Sequence, residues 1–292
     1  MLAEFLQFLF SGLTVGATYA LAALGFTIVY NASNVINFAQ GEFLMLGGML
    51  AVVLLEVGVP AWVALPAAIA LVAAIGVAVE RLAIRPARDA EVVTLVIITL
   101  GVSLVLRGAM QMWRGTATYA LPPFSGDTPL MVSGAALAPQ SLWVLGGAAA
   151  AVALMWWWFE RTRRGKAMLA TASNRLAARL VGIRIEGVLM LSFALSAALG
   201  ALAGIIVAPI TLTSFDVGIM LGLKGFVAAV LGGLGSGVGA VAGGLLLGVL
   251  EAMTAGYVSS SYKDAVPFVV ILFLFVLLPR GLFGTRAPER VV

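Results

Sequence analysis

The sequence predicts an all-α, polytopic integral membrane protein, and three observations lead there. Of 292 residues, 62% are hydrophobic and 10% charged, where a soluble domain carries about a quarter charged residues. Residues 5–41, 57–79, 128–159, 187–215 and 225–250 contain no Asp, Glu, Lys or Arg. About 20 apolar residues at about 1.5 Å each cross the roughly 30 Å hydrocarbon layer, so several of these runs can span it. Third, the basic residues gather at the ends of such runs, which is a topology signal.

The first span is read over 6–30; its apolar part is too long, and lacks the basic start, for a cleavable signal. Residues 31–42, "NASNVINFAQGE", then bring together Asn31, Asn34, Asn37 and Gln40 with no Lys or Arg. Spans follow near 42–58 and 61–80. The segment 81–91 holds Arg81, Arg85 and Arg88, and the segment 160–186 holds seven Lys or Arg against two Glu. Residues 280–292 form a basic tail with Arg280, Arg286 and Arg290. The positive-inside rule makes all three cytoplasmic.

Between the first two clusters, spans near 92–113 and 141–159 flank an external loop at 115–140, rich in proline and free of basic residues. After the span within 187–215, a single crossing over 225–250 would leave the tail outside. Breaking it at "GGLGSGVG" (232–239) restores an inside tail, with helices near 217–233 and 238–255 and a last span near 265–279. The result is about eight or nine crossings, with discontinuous helices near 31–42 and 232–239. The N-terminus is then outside and the C-terminus inside.

Catalysis is not expected. The chain has no Cys and no His, so disulfides, thiolates, Cys-ligated metal and the commonest general base are absent, and no metal site is expected. Gly165-Lys166 lacks the spacing of a phosphate-binding loop, and the Gly-rich 232–239 stretch lacks that of a dinucleotide fingerprint. The net charge of +4 reflects topology rather than nucleic-acid binding.

Within 160–186, Ser173 or Asn174 can cap a helix with Leu176, Leu180 and Ile183 on one face, beside Arg175 and Arg179. Such a helix either rests on lipid headgroups or docks its apolar knobs into a soluble partner. Small residues recur every four positions at Gly12, Gly16, Ala20; at Ser192, Ser196, Gly200, Gly204, Ala208; and at Gly235, Gly239, Gly243. These are close-packing ridges, within one subunit or at a seam.

Three segments carry a family resemblance: "GLTVGATYALAALGFTIVYNASNVINFAQGEFLMLGG" (12–48), "RGKAMLATASNRLAARLVGI" (164–183) and "KGFVAAVLGGLGSGVGAVAGGLLLGVLEAM" (224–253). Together they resemble the LivH-type permeases of branched-chain amino acid ABC transporters, over nearly the whole chain. The resemblance implies one permease domain, 1–292, in the bacterial inner membrane. It also implies a second, LivM-like permease, two cytoplasmic ATPases that hold ATP and Mg, and a periplasmic binding protein. No cofactor is expected in this chain. The 164–183 segment resembles the family's coupling loop, which turns the reading of Asn174, Arg175, Leu176, Arg179, Leu180 and Ile183 toward ATPase docking. No Leu-Pro follows Ile183, so the loop departs from the pattern of other importers.

On this reading Asn34, Asn37 and Gln40, with Gly235 and Ser236 at the second break, line a substrate pathway. The bland counterpart is an amide-capped hairpin at the cytoplasmic surface. Gly25-Phe26 before Gly47-Gly48 is echoed by Gly225-Phe226 before Gly243-Gly244, a weak parallel repeat. Arg107, Lys224 and Glu251 fall toward the outer ends of spans, where an ion pair of Glu251 with either cation is expected and a substrate-carboxylate contact is the minority reading. Glu42 is expected to be solvated. The alternatives are a permease for urea or another small amide or acid, and an ion-coupled secondary transporter.

Overall fold

A computed structural model describes residues 2–87, 90–126, 128–278 and 281–283. Most of the basic tail at 280–292, and Arg88, lie outside the described residues.

Among the described residues there are nine apolar helices, several of them along the charge-free runs. They are α1 (Leu2–Ser33), α2 (Gln40–Glu56), α3 (Ala61–Val79), α4 (Val92–Arg114), α5 (Pro139–Arg161), α8 (Ile185–Thr211), α9 (Val217–Gly232), α10 (Gly237–Tyr257) and α11 (Val266–Leu277); α6 (Arg163–Ser173) and α7 (Arg175–Leu180) stand between α5 and α8. Among the described residues, six helices are long and apolar enough to cross a membrane, and α9 is a shorter apolar one. The 160–186 segment, read from sequence as a loop with one helix, is thus two helices. Thr162 caps α6 by accepting the Gly165 N–H at 2.9 Å, and Asn174 caps α7 through the Ala177 N–H at 2.9 Å.

The core is a bundle of α1, α2, α8, α9 and α10, with α1 in the middle. Helices α3, α4 and α5 lie outside it and keep most of their surface open. Burying an all-apolar helix such as α1 against others needs close backbones, because lipid competes equally for apolar side chains. The small ridges provide this within the chain: a Cβ at Gly12 would lie 2.7 Å from the Val249 Cα, and one at Gly16 would lie 2.9 Å from the Gly244 carbonyl. Gly200 and Gly204 press α8 against Phe43 and Leu44 of α2 in the same way.

The 115–140 loop contains β structure that the all-α expectation did not include. Strands β1 (Leu130–Val132) and β2 (Ala135–Leu137) pair antiparallel around Ser133-Gly134, both with positive φ, as a two-residue hairpin turn requires. Gln7 clamps this hairpin to α1, donating to the Ala136 carbonyl at 3.0 Å and accepting its N–H at 2.7 Å. A bridge of Tyr119 to Thr213 closes the same end. The opposite end collects Asn31, Gly235 and residues 281–283, which bond back to Leu231 and Gly232.

Candidate translocation and docking sites

Helix α1 ends where Asn34 takes φ +56, a conformation Asn tolerates better than other non-glycine residues. Its N–H donates to the Tyr30 carbonyl at 2.7 Å, and its side chain is exposed. The chain then re-enters the protein. Ser33 turns back to Val29, so neither Ser33 nor Asn34 caps α2. Asn37 does the nearest equivalent, its Oδ1 accepting the Ala39 N–H at 3.1 Å. Asn37 is buried, and its Nδ2 has no hydrogen-bond partner among the described residues.

Gln40 is fully buried and committed at both ends of its amide. Nε2 donates to the Ser196 carbonyl at 3.1 Å and Oε1 accepts from the Ser196 hydroxyl. The amide occupies the space that side chains at Gly25 and Gly200 would need. Gln40 therefore pins α1, α2 and α8 together.

Two residues on, Glu42 corrects the sequence expectation of a solvated residue. It is 1% exposed, and its Oε1 accepts from Ser103 at 2.8 Å and from Arg107 at 3.0 Å. Its Oε2 has no hydrogen-bond partner. Arg107 thus pairs with Glu42, and Glu251 pairs with Lys224 at 2.5 Å, the ion pair expected from sequence. Asp264 extends that pair, 2.7 Å from Lys224, and the Tyr19 hydroxyl donates to Glu251 at 2.8 Å. Asp264 lies just outside the spans, and the Lys224 ammonium holds its carboxyl below the ordinary aspartate value.

The second break meets the first. Ser236 caps α10, accepting the Gly239 N–H at 3.0 Å, and Gly235, at φ +98, accepts from Asn31 Nδ2 at 2.9 Å. The two Gly-Phe pairs noted in the sequence also face each other: the Phe26 and Phe226 rings lie 5.9 Å apart, with Phe38 5.6 Å from Phe226. Asn31 was singled out only as part of a polar cluster; its partner was not readable.

At the same end, Leu176 and Leu180 of α7 are 69% and 80% exposed. Ile183 departs from them, half-buried against the core. Arg175 donates to the Ala32 carbonyl in the last turn of α1. Burial, and then the neighbouring Arg179, lower the pKa of Arg175.

A bundle of apolar helices with two abutting breaks, unpaired amide and carboxylate atoms in its interior and an exposed apolar ridge at its basic end defines a membrane transport subunit. The chain belongs to the family described as "Branched-chain amino acid transport system / permease component", which matches residues 8–275. It is 34% identical to the high-affinity branched-chain amino acid transport permease LivH of Salmonella typhimurium, over 98% of both chains. It is 32% identical to BraD of Pseudomonas aeruginosa, which carries the same description, over 99% of this chain and 98% of BraD. The fold is similar to a chain of the solved structure "PsaBC from Streptococcus pneumoniae in complex with Fab", with a TM-score of 0.53 and 16% identity, covering 96% of this chain and 97% of that one.

Proposed function

We propose that this chain is the translocating subunit of an ATP-driven importer that carries leucine, isoleucine and valine across the bacterial inner membrane. Its partners are a second, LivM-like permease, two cytoplasmic ATPases that supply ATP and Mg, and a periplasmic binding protein. The N-terminus faces the periplasm and α6–α7 face the cytoplasm. Full-length similarity to the two branched-chain permeases supports the substrate class.

The observation that carries the mechanism is the exposed pair Leu176 and Leu180. They stand on a capped helix outside the spans, at the end where the basic residues gather, and among the described residues nothing covers them. A groove on an ATPase is the occupant this reading assigns. Asn37 is the pathway residue favoured by the geometry, because its amide has donor capacity that the protein leaves unused. A neutral amide can contact a zwitterion without the tight hold of a fixed charge. Asn34 belongs to the inner mouth, Gly235 and Ser236 to the second break, and Gln40 to the frame behind them.

The test is copurification with the ATPases after Leu176→Asp/Leu180→Asp. Burying carboxylates in an apolar groove costs several kcal/mol, so the variant is expected to insert normally but lose its ATPases. Unchanged copurification and uptake would return α7 to a lipid-resting role.

A further inference from the structure

Beyond the π turn Glu80–Ile84 that extends α3, a groove of about 900 Å³ opens between that turn, the start of α4, α7 and the start of α8. Five arginines line it, Arg81, Arg85, Arg175, Arg179 and Arg184, against Glu80 and Glu186. Two are spoken for: Arg85 pairs with Glu186 and Arg175 holds the Ala32 carbonyl. Arg81 has the Met190 thioether at 3.4 Å, a weak acceptor. Among the described residues, no hydrogen-bonded ion pair engages Arg81, Arg179 or Arg184. The pKa of Arg175 is lowered first by burial and then by the neighbouring Arg179 charge.

The floor is apolar and reaches into the spans. Leu95 lies in the first turn of α4, and Leu189 and Met190 lie in the second turn of α8. Leu176 and Leu180, the exposed pair assigned above to an ATPase groove, are absent from the lining, whereas Arg175, Arg179 and Ile183 of the same segment belong to it.

We propose that this groove binds an anionic phospholipid, its phosphate held by Arg81, Arg179 and Arg184 and its first acyl carbons on Leu95, Leu189 and Met190. Guanidinium forks match phosphate oxygens, and basic pockets between helices at the cytoplasmic face suit acidic headgroups. An acidic side chain of a soluble partner would satisfy the rim but leave the floor open. The site rests on the orientation proposed above only for the leaflet that supplies the lipid. Lipid retention in detergent does not depend on orientation, so the two readings fail separately.

The test uses the full chain purified, with the subunits it carries, in neutral detergent. Bound phospholipid is counted by native mass spectrometry after exposure to dioleoyl phosphatidylglycerol, dioleoyl phosphatidylcholine or glycerol 1-phosphate. About one phosphatidylglycerol per chain is expected to survive washing, with retention falling roughly tenfold in Arg81→Gln/Arg184→Gln. Phosphatidylcholine retained equally well would mark ordinary boundary lipid, and glycerol 1-phosphate binding as tightly as the lipid would mark a free-anion site; either overturns the proposal. So does undiminished retention in a folded double variant. Should that variant not fold, the headgroup comparison on the unaltered chain decides alone.

Discussion

Glu42 of α2 and Arg107 of α4 form a 3.0 Å ion pair beside Ser103, the middle residue of α4. At about 1.5 Å per residue, Ser103 stands about 16 Å from either end of its helix. The pair therefore lies well inside the length of α4, and it ties the core to a helix that otherwise keeps most of its surface outside the bundle.

Arg107→Leu leaves the Glu42 carboxylate buried without its cation, and a loss of about 3–5 kcal/mol is expected. Adding Glu42→Gln removes the stranded charge and should restore part of it. Thermal unfolding in detergent measures both; a double variant no more stable than Arg107→Leu would show that the two residues are not coupled.

Asn37 and Gln40 separate a pathway role from a packing role. Asn37→Ala removes the unused Nδ2 donor together with the Oδ1 that accepts the Ala39 N–H, so a stability loss of about 1 kcal/mol is expected beside a fall in leucine uptake, measured on the folded fraction in vesicles reconstituted with all partners. Asn37→Lys should be more damaging still, because a fixed charge at depth retains the substrate carboxylate or seals the passage. Near-wild-type uptake by Asn37→Lys would remove this residue from the route. Gln40→Leu should instead cost about 1–3 kcal/mol of stability by removing both buried hydrogen bonds of its amide to Ser196.

Orientation is testable because the chain has no native cysteine. Ser125 and Ser173 are both exposed, at opposite ends of the bundle. With the outer barrier opened, Ser125→Cys should react with a membrane-impermeant thiol reagent in intact cells, and Ser173→Cys only after lysis. The reverse pattern would invert the topology.

The Lys224–Asp264 contact carries a pH signature. The folded pKa of Asp264 is lowered, so its contribution is present above the unfolded value of about 3.9 and is lost as pH falls through the folded value. Because this carboxylate is about half exposed, solvent screens the effect and it should be small. Asp264→Asn should lower neutral stability by that same small amount and leave stability in acid unchanged, so that the acid limb of the unfolding curve flattens. An acid limb identical to wild type would place the sensitivity elsewhere.

Apolar runs and basic clusters made the helices legible, and the Gly-rich 232–239 stretch marked its own break. Glu42 was misread because a charge at the end of an apolar run resembles a boundary residue. Its depth follows from re-entry of the chain after Asn34, which only three-dimensional packing against Ser103 and Arg107 reveals. Gln40 looked like a pathway amide for the same reason: the gap between Gly25 and Gly200 that holds it is formed by two helices far apart in sequence. The β1–β2 hairpin had a readable signal in Ser133-Gly134, a turn dipeptide flanked by short apolar runs. The proline-rich surroundings outweighed it.

Arg175 gives the bundle a mechanical linkage. It grips the Ala32 carbonyl, and the adjacent Asn31 grips Gly235, so α7, the foot of α1 and the entrance of α10 are joined in series by two hydrogen bonds. A partner that tilts α7 therefore does not act on a loose surface helix. Tilting that helix would draw on the foot of α1 and the entrance of α10 together, the two places where the apolar helices break.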